Sequence, residues 1–214
     1  DRRYLHTFGA NASFTVEHVR RDWVAGLQVF YLGGFLLLPA FRTDAFLDLL
    51  RFCRASGVTT VLDVVTPRQV QNMADLAPLL PYVDYLLPND DEARVLTGQA
   101  APEDQLRAFL DAGAGTAVIT CGARGALAAR AGEAWRAAAY PVPVVDPSGS
   151  GDAFTSGLVA GVLQGWDLPR ALRWASALGA SAVRAVGTTP GVFSAAEAEE
   201  FVATHPLAVD PLSL

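Results

Sequence analysis

The sequence predicts an α/β fold of three layers, with helices on both faces of a mostly parallel central sheet. Two observations carry that expectation. Short, continuously apolar runs alternate with segments of helical periodicity, the pattern of strands buried on both faces. The chain is also long and apolar enough for one large core: 214 residues, 51% hydrophobic and 18% charged, so residues 1–214 read as a single α/β domain.

The elements follow in order. "DRRYLHTFGAN" opens the chain with Tyr4, Leu5 and Phe8 in a strand-like stretch that has no cap before it. "LQVFYLGG" is an apolar strand. "TDAFLDLLRFCRASG" places Phe46, Leu49, Leu50 and Cys53 at helical spacing, with an N-cap at Thr43 or Asp44 and a stop at Gly57. "VTTVLDVV" is a strand, "VQNMADLAPLLP" a short helix and "VDYLLPN" a strand. "DDEARVLTG" is a helix ending at Gly98, and "PEDQLRAFLDAG" is a second capped helix. "TAVITCG" and "GALAARAG" precede an arm, "EAWRAAAYPVPVVDPSG". Two helices rich in small residues close the pattern, over about residues 151–165 and 168–186.

Charge and cysteine usage narrow the partners. Lys plus Arg total 16 against 22 for Asp plus Glu, a net charge of −6, and no basic run interrupts the acidic balance. Nucleic acid and anionic membranes are therefore not the expected partners. Cys53 and Cys121 lack CxxC spacing, and His6, His18 and His205 are scattered, so neither a disulfide frame nor a zinc cluster is indicated. A reducing, cytoplasmic compartment fits. The longest uncharged run, residues 26–41, is broken by Gly33, Gly34 and Pro39 and reads as a buried strand with its turn.

In doubly wound sheets, ligands sit at the carboxyl ends of strands, which directs attention to residues that follow each apolar run. "DPSGSGDAFTSG" is the richest such place. Gly149, Ser150 and Gly151 leave backbone N–H groups unobstructed, and the following helix points its partial positive end at them, which makes an anion site. Asp152, in the first turn, is suited to accept the proton of a substrate hydroxyl as its oxygen attacks a phosphate. Alone, the same pattern reads equally as a glycine turn and a helix cap. "PNDDE" puts Asn89 and Glu92 at i, i+3 spacing, able to face one metal-bound water or phosphate. "TCGARG" offers Thr120, Gly122 and Gly125 to a nucleotide that passes close to the backbone. Gly33, Gly34, Asn11 and Asp63 lie where substrate contacts could fall, but glycine turns and strand-end Asp residues are commonplace, and the structural reading is the preferred of the two.

Taken together and in this order, "PNDDEARVLTG", "VITCGARGAL", "DPSGSGDAFTSG" and "GASAVRAVGTTPG" resemble the ribokinase-like, PfkB-type family of carbohydrate kinases, over about residues 8–191. The resemblance implies a ribokinase-like fold and ATP-dependent phosphorylation of a sugar, nucleoside-like substrate or similar alcohol. Asp152 would match the family's catalytic base, and Gly149, Ser150 and Gly151 its anion hole. Asn89 and Glu92 would match the pair that organises Mg²⁺, Glu92 through water, and the phosphates. Thr120, Gly122 and Gly125 would lie along the nucleotide, and Ser176 would contact the adenine near the start of its helix. Asp146, Ser148, Ala182, Ala185, Gly187 and Gly191 match positions that hold a monovalent cation such as K⁺ in several members.

Two departures bear on these expectations. Pro147 replaces the Thr that usually follows the first signature Asp, which removes an N–H. The family's opening portion, its first central strand, glycine-rich sugar segment and lid, has no counterpart in the sequence. Residues 1–214 are therefore expected to be the C-terminal part of a longer kinase, with an open slot in the sheet and weak ATP hydrolysis at most on their own. A homodimer is an open alternative to the monomer. The competing function is a non-catalytic nucleotide or sugar sensor on the same scaffold. A hydrolase elbow is excluded, since Ser150 is flanked at ±2 by Ser148 and Asp152, and Ser181 by Gly179 and Val183. No GxxxxGK[ST] phosphate loop is present either.

Overall fold

The computed structural model describes residues 7–214. Its seven strands form one sheet in the order β1-β2-β3-β4-β5-β6-β7. The first four are β1 (Val29–Phe35), β2 (Thr59–Val64), β3 (Tyr85–Leu86) and β4 (Thr116–Thr120). They pair in parallel, with Val29 opposite Thr59, Val61 opposite Tyr85 and Tyr85 opposite Thr116. β5 (Ala126–Arg130), β6 (Glu133–Ala137) and β7 (Val209–Pro211) continue the sheet antiparallel. The parallel half is the one whose carboxyl ends converge, and it carries the candidate site.

Strand periodicity separates two cores. Phe30, Leu62, Leu86, Ile119 and Leu127 belong to one buried cluster, while Val61, Leu87, Val118, Ala126 and Ala128 belong to another. Successive residues of a strand thus face opposite layers. The first layer contains α2 (Thr43–Ala55), which buries Phe46, Leu49, Leu50 and Cys53, and α4 (Pro102–Asp111), which buries Leu106 and Phe109. The second contains α5 (Ser150–Leu163) and α6 (Leu168–Ala182), through Phe154, Leu158, Leu168, Leu172 and Ala175. α1 (Arg21–Val24) and α3 (Asp90–Thr97) complete the set before the terminal α7 (Ala195–Thr204). No described helix is long and apolar enough to cross a membrane.

Several local expectations are corrected. The N-cap of α2 is Arg42, with Thr43 already helical. Between Pro67 and Leu79 there is no helix; only a 3-10 turn at Leu80–Tyr82 forms. Pro67 and Pro78 each lack a backbone donor there, and Asn72 Oδ1 accepts the N–H of Ala74 at 2.8 Å, a local bond that competes with helical ones. "PVPVV" is not a strand. α6 stops at Ala182 rather than Val186. α7 and β7 went unassigned in the sequence, although the Ser194 to Glu197 capping box that starts α7 is a standard start signal. Among the described residues the seven strands are contiguous, so the expected slot inside the sheet is not found; β1 ends the strand order. Tyr4 and Leu5 lie outside the described residues, and Phe8 precedes a 3-10 turn, Gly9–Ala12, rather than a strand.

Candidate active site

The site begins where α5 opens. Gly149 is the N-cap at φ 77°, in the left-handed region, and a Cβ there would lie 2.6 Å from the carbonyl oxygen of Thr188. Only glycine meets both demands. Ser150 Oγ and N–H turn back to the carbonyl of Pro147 at 3.0 and 3.4 Å, and Ala153 N–H donates to Gly149 O at 2.9 Å. The N–H groups of Gly151 and Asp152 are then those that an anion at the helix end would meet. Gly151 is exposed with open space where a side chain would go, and Asp152 stands exposed in the first turn.

A row of carboxylates faces this turn. Asp63, on β2, is pushed up to about 7, first by burial and then by the charge of Asp152, against the pull of the Val64 N–H and the Tyr31 hydroxyl. Glu92, on α3, is also pushed up to about 7, again by burial first, with the charge of Asp63 adding to it and the Asn89 N–H opposing. Asp63 senses Asp152, and Glu92 senses Asp63, which links β2, α3 and α5 at one end of the sheet. Asp63 lies inside β2 rather than after it, linked to Tyr31 on the neighbouring strand. The signal was present: a lone acid interrupts the apolar run "VTTVLDVV" on the sheet face that meets α5.

Asn89 and Glu92 use their side chains on each other. Asn89 Oδ1 accepts the N–H groups of Asp91 and Glu92 at 3.0 and 2.9 Å, and Glu92 Oε2 accepts the Asn89 N–H at 2.9 Å. This capping box fixes the start of α3. Thr120 is beside them, since Asn89 and Thr120 form an isolated parallel bridge and Thr120 N–H donates to Pro88 O at 3.2 Å. Arg124, in the turn after β4, pairs with Asp90 in the first turn of α3. Gly122 has φ 57° and open space at its Cβ position, whereas a Cβ on Gly125 would collide with Ala137 O at 2.0 Å. One glycine is left open toward solvent and the other lets the turn close on β6.

The remaining expected residues form a second group. Asp146 lies in an irregular segment rather than at a strand end, where its Oδ1 accepts Ser148 N–H at 2.9 Å and its Oδ2 accepts Gly187 N–H at 3.0 Å. A Cβ on Gly191 would lie 2.6 and 3.0 Å from the carbonyl oxygens of Ser181 and Ala182. The loop 183–191, with Ala185 half-buried in it, is thus drawn against both the end of α6 and the turn before α5. Ser176 is buried in the middle of α6, not near its start. Asn11 is exposed in the 3-10 turn Gly9–Ala12 and has no link to the carboxylate row.

An ATP-dependent 6-phosphofructokinase of Thermoanaerobacterium thermosaccharolyticum is 38% identical over 109 residues, 51% of this chain and 34% of that protein. A fructoselysine 6-kinase of Shigella flexneri is 28% identical over 179 residues, 84% of this chain and 62% of that protein. Among solved structures, an Escherichia coli protein provisionally described as a ribokinase II, in complex with ATP and Mg²⁺, superposes with a TM-score of 0.76 at 26% identity, covering 90% of this chain and 64% of that one. The chain thus spans less than two thirds of the length of these relatives. The family model described as "pfkB family carbohydrate kinase" matches residues 1–194. By fold, motif order and this match, the chain belongs to the pfkB family of carbohydrate kinases.

Proposed function

We propose that this chain carries the nucleotide and catalytic side of an ATP-dependent kinase whose acceptor is a sugar or similar small alcohol. The observation that supports it most is Asp152, an exposed carboxylate in the first turn of α5, beside the glycine-opened helix end and within the field of Asp63. In the reaction, the acceptor hydroxyl gives its proton to Asp152 while its oxygen attacks the γ-phosphorus, and the bond to the bridging oxygen of ADP breaks. In the turn over Gly149, Ser150 and Gly151, the Ser150 N–H is already bonded to Pro147 O, so the N–H groups of Gly151 and Asp152 hold the negative charge that develops. Thr120, Gly122 and Gly125 line the path of the nucleotide, with Ser176 on the adenine side.

The acidic row suits Mg²⁺. Asp63 and Glu92 are both raised by burial, and no cation is among the groups that perturb them. Among the described residues no ready cluster of three His, Cys, Asp or Glu exists, so the ion would rest on Glu92 through water, with Asn89 and the phosphates, as Mg²⁺ commonly does. When bound, it neutralises charge on the phosphates. A monovalent cation, K⁺ by its usual abundance, is proposed for the loop tied by Asp146, with Ser148, Ala182, Ala185, Gly187 and Gly191 around it. Cys53 and Cys121 are buried free thiols, each pushed up to about 11 chiefly by burial, which suits a cytoplasmic setting.

The test is ATP consumption by the full-length protein against a panel of sugars, sugar acids and nucleosides, with ATP binding followed by calorimetry. Acceptor-dependent ADP release is expected. Nucleotide binding without turnover on any acceptor would favour a sensor, and no binding at millimolar ATP would remove both readings.

A further inference from the structure

Tyr31 lies on β1, on the sheet face that meets α5, and is 41% exposed. Gly33, two residues on, shares that face. A Cβ on Gly33 would lie 2.6 Å from the Tyr31 hydroxyl oxygen and 3.0 Å from Cζ. The ring therefore leans along the strand toward its carboxyl end and occupies the room that a side chain at position 33 would take. Gly34 sits at φ 70° and needs glycine for its backbone; Gly33 has no left-handed φ, and a side chain there would displace the phenol rather than strain the backbone. At that end the Tyr31 hydroxyl donates to Asp63 Oδ2 at 3.4 Å, beyond the usual span of an O–H···O bond. The same phenol lies in the field of Asp152. A donor this loosely held, beside the proposed base, is available to a ligand.

We propose that Tyr31 is a specificity-determining residue on the acceptor side, its hydroxyl binding a second hydroxyl of a polyol whose reacting hydroxyl lies at Asp152. The inference rests on the kinase reading above and adds to it the class of acceptor. A phenol both donates and accepts one hydrogen bond, so it recognises a compound with a further hydroxyl near the reacting one, and a simple alcohol gains nothing from it. Gly33 acts through Tyr31 as its seat.

The experiment uses the full-length protein, wild type and Tyr31→Phe, with D-ribose and D-fructose as acceptors alongside their monodeoxy analogues. For an acceptor that the wild type phosphorylates, the Phe variant should raise the acceptor KM about threefold to tenfold, the worth of one neutral hydrogen bond, with the ATP KM and melting midpoint unchanged. On one monodeoxy analogue, the one lacking the hydroxyl that Tyr31 reads, the two proteins should become equal. Gly33→Ala should raise the acceptor KM in the same way, and should add little on top of Tyr31→Phe. An unchanged acceptor KM, a parallel rise in the ATP KM, or an equal loss on every monodeoxy analogue would overturn the inference while leaving the kinase reading intact. Absence of turnover by the wild type on these sugars and on the wider panel would overturn both.

Discussion

At the scale of single residues, the carboxylate row has a consequence for stability. Asp63 holds its proton up to about pH 7 in the folded protein, whereas an unfolded Asp titrates near 4. Between those values the folded state binds more protons than the unfolded one, so stability falls as pH rises and is lowest above pH 7. Asp63→Asn removes that burden. At pH 8 the variant should be more stable by on the order of 2 kcal/mol, about 4 to 8 °C in melting midpoint, and the advantage should shrink toward pH 4.5. Thermal melts at the two pH values check this, and a variant less stable than wild type at pH 8 would contradict it. Mg²⁺ at pH 8 should raise the wild-type midpoint more than that of Asp63→Asn, because the buried charge it would offset is absent in the variant.

At the scale of elements, the site depends on how closely α5 approaches α6. A Cβ on Gly157 would lie 2.7 Å from Ala175 Cα, and one on Gly161 would lie 2.8 Å from Ala171 Cβ. Gly157→Ala must push the helices apart, at a cost of about 1 to 3 kcal/mol measurable by urea unfolding, although the same change would favour an isolated helix. These small residues were visible in the sequence as a helix property, but their partners were not, because close approach is a tertiary fact. α3 was legible from its stop at Gly98, which takes φ 71°, and α4 from Pro102 at a first helical position, but the expected cap of α4 is absent, since its N-cap is Ala101 with no side-chain hydrogen bond. The stretch 67–79 was not, since its apolar spacing mimics a helix while its prolines and Asn72 satisfy the backbone otherwise. Of the candidate site, Asp152 and the 149–151 turn were legible as local patterns. Asp63 was legible as a lone acid in an apolar run, but its link to Tyr31 was not, because that arises only when the register of β1 on β2 brings residues 32 apart to one sheet face.

At the scale of the whole molecule, one end of a parallel four-strand set collects the chemistry. Asp63 on β2, Glu92 at the start of α3, Thr120 at the end of β4 and Asp152 at the start of α5 all converge there. Parallel strands make this convergence unavoidable, because every carboxyl end faces the same way and every following helix presents its amino end. The antiparallel strands β5 to β7 contribute packing under α6 instead. In the proposed reaction Asp152 accepts the acceptor's proton. Acceptor-dependent ADP release by full-length Asp152→Asn, with ATP affinity measured in parallel by calorimetry, tests it most directly: turnover should fall about 10² to 10⁴-fold while ATP affinity stays within about twofold, and wild-type turnover in the variant would show that Asp152 only caps α5.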